Sequence, residues 1–466
     1  MGGARPLIAR PVPRHRHVKK KDSAEPLRRI RGQVHRCRGL GNTQINRRRF
    51  LKEGISTLGV ASYVAGIPWL SGCKGGQSGG VSPTATPPGP PTDSGPFGTF
   101  TDRSSHWQRS GNLLWGFDNM YHLKVLCDPQ VDPPYPYRGW FFGWAAADCN
   151  AGISPGYTGC DAIFAARSES LDSGWQVYAG SGNWDNTMNP QLWKPVVSAN
   201  HAYYDQEHNG DPSVVKVGAT YYMAYSSTGY NQDGIPFGLP RDRDGGFQCL
   251  MGATSTDGIN WQPSASPIVQ NPKAYGASTS LAGYDVHYYA DYARPAVLYE
   301  NGKFEMWWDY PTPQGGGAVA YAENQGDFMS ASDWVVRRSS LNPCTGLANF
   351  PNPDVQKIGN VYFGYGDPGL YGQGWPGRKI AEAISLDRLQ WVMLGYVDSD
   401  SDAPAIMVPV AYVRKEGAET WMCVTYACQI GGTPYNFRFN RIRQMRRQIT
   451  SDMLSAYQNL WNRTYA

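Results

Sequence analysis

The chain has 466 residues and a formal charge of +5, but the charge is unevenly placed. Residues 1–73 hold 16 Lys/Arg and 3 Asp/Glu, leaving 27 basic against 35 acidic residues, a net of −8, in the remainder. An acidic body without a basic patch excludes nucleic acid as the expected partner, and its Gly, Pro, Tyr and Trp content suits many short strands joined by turns.

In chain order, the first feature is a leader. Asn46-Arg47-Arg48-Arg49-Phe50-Leu51-Lys52 matches the twin-arginine export pattern except at Asn46, where Ser or Thr is usual. An apolar run from about Ile55 to Leu70 follows, too short to span a bilayer comfortably. Leu70-Ser71-Gly72-Cys73 then resembles a lipobox, which makes Cys73 the expected lipidated terminus and 1–73 a signal region. Residues 74–98 are rich in Gly, Ser and Pro, cannot bury a core and read as a tether. The expected location is outside the cytoplasm, lipid-anchored at the cell surface or in the periplasm. Of the seven cysteines beyond Cys73, Cys149 and Cys160 flank a Gly/Pro loop and are the expected disulfide; Cys423 and Cys428 are left unpaired. No spacing suggests a zinc site, and no metal or cofactor is expected.

Residues 99–466 carry a repeat. Asp211-Pro212 leads nine residues later to Tyr221, Arg294-Pro295 to Phe304 and Asn352-Pro353 to Tyr362. Each unit reads as an apolar strand, a Gly-containing hairpin and an aromatic strand. Looser copies bracket them: Asp118 to Trp144 in front, Val408 to Tyr426 behind. Most units continue with a small-residue strand and a polar turn closing on Trp175, Trp261, Trp334 or Trp391. Five such units predict an all-β, five-bladed β-propeller, with the tryptophans packed between blades and sugar stacking as the competing role. Ser255-Thr-Asp257-Gly-Ile-Asn-Trp261 is similar to the structural Asp-box turn of sialidases. Residues 440–466 are expected to add a last strand and a short amphipathic helix.

In a propeller, residues just ahead of the innermost strands converge on one funnel. The sequence places there Asp118, Asp211, Arg294, Asn352 with Asp354, and a fifth position near Asp402 or Met407. Several carboxylates in one funnel suit glycosidic cleavage, where one acid protonates the leaving oxygen and a second attacks or activates water.

The stretch from Gly210 to Ser226, Arg167 to Trp175 and Tyr292 to Trp308 resembles the five-bladed furanosidase superfamily, which includes family 43 arabinanases and xylosidases and the family 32 and 68 fructan enzymes. The resemblance covers most of residues 110–440. It implies a glycoside hydrolase acting on arabinosyl, xylosyl or fructosyl linkages of an oligo- or polysaccharide; a monomer is expected. Such enzymes carry Asp on the first blade, Asp on the second and a Glu acid on the third. Asp118 takes the first slot and Asp211 the second, whereas the third holds Arg294; Asp291 and Glu207 are the substitute acids. Arg294, Asn352, Asp354, His208 and Trp115 are the expected substrate contacts. Asp211 also reads as a turn residue capping its strand, and Arg294 as a structural ion pair. The rival to hydrolysis is a silent propeller that binds carbohydrate or a protein.

Overall fold

The computed structural model describes residues 107–117, 119–130, 132–144, 161–198, 208–229, 247–269, 280–281, 284–285, 293–311, 317–339, 342–347, 350–368, 379–397, 403, 406–430 and 439–465. The leader, the tether, Cys73, Asp118, Cys149, Cys160, Glu207, Asp291 and the His208 side chain lie outside the described residues.

Five antiparallel sheets follow one another. Blade 1 runs outward from Asn119–Cys127 through Tyr137–Trp144 and Asp161–Ser168 to Gln176–Gly180, with Asn183–Asp185 and Pro195–Ser198 added at its edge. Blade 2 comprises His208–Val217, Thr220–Gly229, Phe247–Ser255 and Gln262–Pro263. Blade 3 comprises Ala293–Glu300, Lys303–Pro311, Gly317–Asn324 and Trp334–Arg338, and blade 4 Asp354–Ile358, Val361–Gly366, Ala381–Ser385 and Val392–Tyr396. Blade 5 is assembled from both ends of the described chain: Ile406–Glu416, Glu419–Cys428 and Arg441–Gln448 inside, and Gln108–Trp115 outermost. The five innermost strands touch in a closed circuit, blade 5 returning to blade 1.

The local chemistry explains the hairpins. Asn301 and Gly302 both have positive φ, 51° and 77°, the conformation that a tight turn between twisted strands demands and that Asn-Gly tolerates. Between blades, alternating strand residues bury apolar faces against the neighbouring sheet, which removes the surface that no single blade could cover. Five large apolar clusters result among the described residues, one at each seam, and a sixth, small one gathers Met407, Val408, Ala427 and Phe439.

Each seam receives a tryptophan at the head of a fourth strand. Trp175 packs at the seam of blades 5 and 1, Trp261 at 1 and 2, Trp334 at 2 and 3, and Trp391 at 3 and 4. The fifth is Trp107, just ahead of Gln108–Trp115, at the seam of blades 4 and 5; sequence reading missed it because its blade closes with the start of the domain. Trp107 meets Tyr365 edge-on at 6.2 Å and lies under the Arg447 guanidinium. These tryptophans are packing residues.

The polar turn beneath them is the same in two blades. Asp257 Oδ1 accepts hydrogen bonds from the backbone N–H of Ile259 and Asn260, and Asp387 Oδ1 from Leu389 and Gln390. In both, the turn carbonyl takes an indole N–H from its own tryptophan and another from the neighbouring blade: Gly258 from Trp261 and Trp140, Arg388 from Trp391 and Trp307. Gly258 has φ +73°, and a Cβ there would come within 2.8 Å of Trp140.

The expected last strand and helix are present as Arg441–Gln448 and Ser451–Tyr465. Thr450 caps the helix, its Oγ1 accepting from Met453 N. Tyr457 is buried against Phe363, and Trp461 and Tyr465 donate to the carbonyls of Gln390 and Trp391. The helix therefore seals the seam of blades 4 and 5. Among the described residues no helix is long and apolar enough to cross a membrane.

Candidate functional site

Among the described residues nine non-glycine residues have positive φ, and five of them hold the same place, one per blade: His122 (58°), Asp211 (52°), Arg294 (56°), Asn352 (49°) and Val408 (52°). In blades 1, 2, 3 and 5 the strand register slips across this residue, between Tyr121 and Lys124, Gly210 and Ser213, Ala293 and Ala296, and Met407 and Val410. Asn352 stands just ahead of Asp354–Ile358. These are bulges at the mouth of each innermost strand. In four of the five the next residue is Pro, which has no N–H for the ladder and bars its predecessor from the right-handed helical region. The X-Pro repeat of the sequence is thus the signature of a bulge that turns one side chain per blade to the axis.

Blade 1 presents His122 at the ring, a residue the sequence reading did not single out; Asp118 and Asp402 lie outside the described residues, and blade 5 presents Val408, next to the expected Met407. Asp354 lies two residues past its ring position, one layer deeper.

The ring is wired from blade to blade. Ser226 Oγ, in blade 2, accepts the backbone N–H of Arg294; Asp309, in blade 3, accepts that of Asn352 at 3.0 Å; Asp367, after the second strand of blade 4, accepts that of Val408 at 2.8 Å. Asp309 also holds the Arg294 guanidinium at 3.0 and 3.2 Å, and Asp367 takes the Asn352 amide at 2.6 Å. Burial pushes the Asp309 carboxyl up, against the pull of Arg294 and the Asn352 N–H, with the Asp211 charge adding to the rise. Arg294 therefore belongs to a buried ion pair. The signal for Asp309 and Asp367 was in the sequence, as an acid following the aromatics of a second strand (Trp307-Trp308-Asp309, Tyr365-Gly366-Asp367).

His122 and Asp211 face each other across the seam of blades 1 and 2. His122 Nδ1 is 3.6 Å from Asp211 Oδ1, and both side chains are almost wholly buried. Burial drives the imidazole pKa down to about 4; Asp211 opposes this, and Lys124 and Arg294 add to it. His122 is neutral at pH 7. Among the described residues neither of its nitrogens has a hydrogen-bond partner, nor have Asp211 Oδ1, Asn352 Oδ1 and Asn119 Oδ1. Buried polar atoms are paired in more than nine cases of ten. Five such atoms lie on blades 1, 2 and 4, at or beside the ring, and leave its polar groups with hydrogen-bonding capacity to spare.

Below the ring the axis is plugged. Lys124 Nζ donates to both Asp354 oxygens at 3.3 Å and to the Ala411 carbonyl, while Asp354 Oδ2 accepts Ala411 N–H. Beyond this pair is a cavity of about 360 Å³ at the opposite end, walled largely by apolar side chains such as Leu126, Val215, Leu298 and Val413. Trp115 lies on the outermost strand of blade 5, in a row with Arg441, Cys428 and Ile406, and is 39 % exposed. Three strand spacings put it on the ring's end of the blade, roughly 14 Å from the innermost strand. Among the described residues no group of three His, Cys, Asp or Glu side chains is placed to hold a metal ion.

No family model and no curated protein matches the chain. Solved structures do. A thermostable family-43 glycoside hydrolase matches at 12 % identity over 74 % of this chain and 94 % of its own, with a TM-score of 0.46. An α-L-arabinofuranosidase from Lactobacillus brevis matches at 10 % identity over 72 % and 91 %, with a TM-score of 0.44. An N-acetylgalactosamine deacetylase from F. plautii matches at 13 % identity over 76 % and 99 %, with a TM-score of 0.47. The chain is similar to these proteins at the level of fold, and no residue's role passes from them to it.

Proposed function

We propose that this chain acts on a glycan at the axial ring, as a glycoside hydrolase of arabinosyl, xylosyl or fructosyl linkages. The observation that carries the reading is Asp211: a buried carboxylate with an oxygen free of hydrogen bonds, in a ring of polar side chains delivered by all but one blade. Glycosidic cleavage needs a carboxylate placed to meet positive charge developing at the anomeric carbon, and a second group to protonate the leaving oxygen. Asp211 supplies the first, as a charge close to the reacting carbon rather than as an attacking group. Asp118, Asp291 and Glu207 are the acids from which the second is drawn; Arg294, bound to Asp309, supplies no proton. A screen on arabinosyl, xylosyl and fructosyl substrates tests the reading, with Asp211→Asn expected to lose at least a hundredfold in kcat. Hydrolysis by that variant at the parental rate would sink it.

A second reading is binding without hydrolysis. It is favoured by the ring itself, where His122 and Arg294 stand on the first and third blades. Calorimetry with the same oligosaccharides separates the two: binding with no turnover supports this one.

The twin-arginine stretch and Cys73 support export and lipid anchoring. Arg47→Lys with Arg48→Lys is expected to hold the protein in the cytoplasm, and Cys73→Ala to release it from the membrane fraction.

A further inference from the structure

We propose that His122 is the proton acceptor of the site, working as a dyad with Asp211; this rests on the hydrolase reading. Three observations converge on it. The bulge of blade 1 puts an imidazole, rather than a carboxylate, at the ring position. Its Nδ1 is 3.6 Å from Asp211 Oδ1, just beyond hydrogen-bond range; in the dyad that nitrogen carries the proton, and Nε2, buried and without a hydrogen-bond partner among the described residues, is the acceptor. Both residues are buried, and neither His122 nitrogen nor Asp211 Oδ1 has a hydrogen-bond partner among the described residues, so the imidazole and the carboxylate oxygen that face each other are not committed elsewhere.

In the reaction, Nε2 takes a proton from a water molecule. The water oxygen forms its bond to the anomeric carbon as the bond from that carbon to the leaving oxygen breaks. The leaving group departs with the electron pair; a 4-nitrophenolate needs no proton, whereas a sugar alkoxide takes one from the acid of the rim. Asp211 stabilises the imidazolium, which returns its proton to solvent after product release. The charged groups acting on His122 are Asp211 on blade 2, Arg294 on blade 3 and Lys124 on its own strand. Asp211 alone favours the protonated ring.

The test uses the full chain and 4-nitrophenyl α-L-arabinofuranoside and β-D-xylopyranoside, with sucrose as a fructosyl probe. His122 has φ 58°, a conformation that Asn and Asp tolerate, so His122→Asn and His122→Asp both suit the bulge. His122→Asn is expected to lose 10²–10⁴ in kcat, with KM within about threefold. His122→Asp is expected to recover at least tenfold of that loss, with the acid limb of the pH profile moved upward because two carboxylates now share the site. Independently of turnover, ¹⁵N NMR of the His122 imidazole is expected to show a midpoint that falls in Asp211→Asn. A His122→Asn enzyme with kcat within threefold of the parent, or a midpoint indifferent to Asp211→Asn, overturns the dyad and leaves the hydrolase reading standing. A parent chain that turns over none of the three substrates overturns both.

Discussion

Lys124 Nζ lies 3.3 Å from each carboxylate oxygen of Asp354, an ion pair that joins blade 1 to blade 4 across the axis with both side chains out of water. Burial pushes the Asp354 carboxyl up, and Lys124 and the Ala411 N–H pull it back. Removing one partner of such a pair strands the other. Lys124→Met is expected to cost about 3–5 kcal/mol in urea unfolding. Adding Asp354→Leu is expected to recover part of this, short of the parent by about 1–3 kcal/mol because Ala411 N–H is then unpaired. A Lys124→Met protein as stable as the parent would show that water reaches the plug.

His122 makes stability depend on pH. Its folded pKa, about 4, is below the usual 6.5, so between these values the unfolded chain binds the extra proton. Stability conferred by the neutral imidazole is therefore full above pH 6.5 and is lost as the pH falls toward 4. The whole span is worth about 3 kcal/mol. Denaturant midpoints measured from pH 7 to pH 4 should fall less steeply in His122→Asn than in the parent.

Asp211 tests the bulge apart from the chemistry. Its φ of 52° suits Asn and penalises a β-branched side chain. Asp211→Asn is expected to unfold within about 0.5 kcal/mol of the parent, and Asp211→Val to cost about 1–3 kcal/mol. Equal stability of the two variants would mean that the ring conformation is not imposed by the bulge.

Trp107 reports on ring closure. If it fills the seam of blades 4 and 5 as Trp391 fills that of 3 and 4, Trp107→Ala and Trp391→Ala should each cost about 3–5 kcal/mol. A Trp107→Ala loss below about 1 kcal/mol would mean that Gln108–Trp115 is a dispensable edge.

What the amino-acid sequence determined by itself was everything governed over short range. A Pro without an N–H, a Gly turn and an aromatic nine residues on mark a bulge, a hairpin and a second strand wherever they occur, so blades 2, 3 and 4 were legible, and with them the five-bladed count. Asp211 and Arg294 were found at the ring because their own Pro residues announce it. Tertiary structure alone decided the rest. His122 has no Pro after it, and only the register slip between Tyr121 and Lys124 shows that it stands at the bulge of blade 1. Arg294 reads equally as a substrate contact and as an ion-paired cation until the fold brings Asp309 to it. Lys124 and Asp354 are 230 positions apart, and the pairing of Gln108 with Arg446 closes the ring over a still longer span. No local periodicity encodes such contacts: they exist because five twisted sheets can bury their faces only by closing on one another, and closure chooses which side chains meet at the axis.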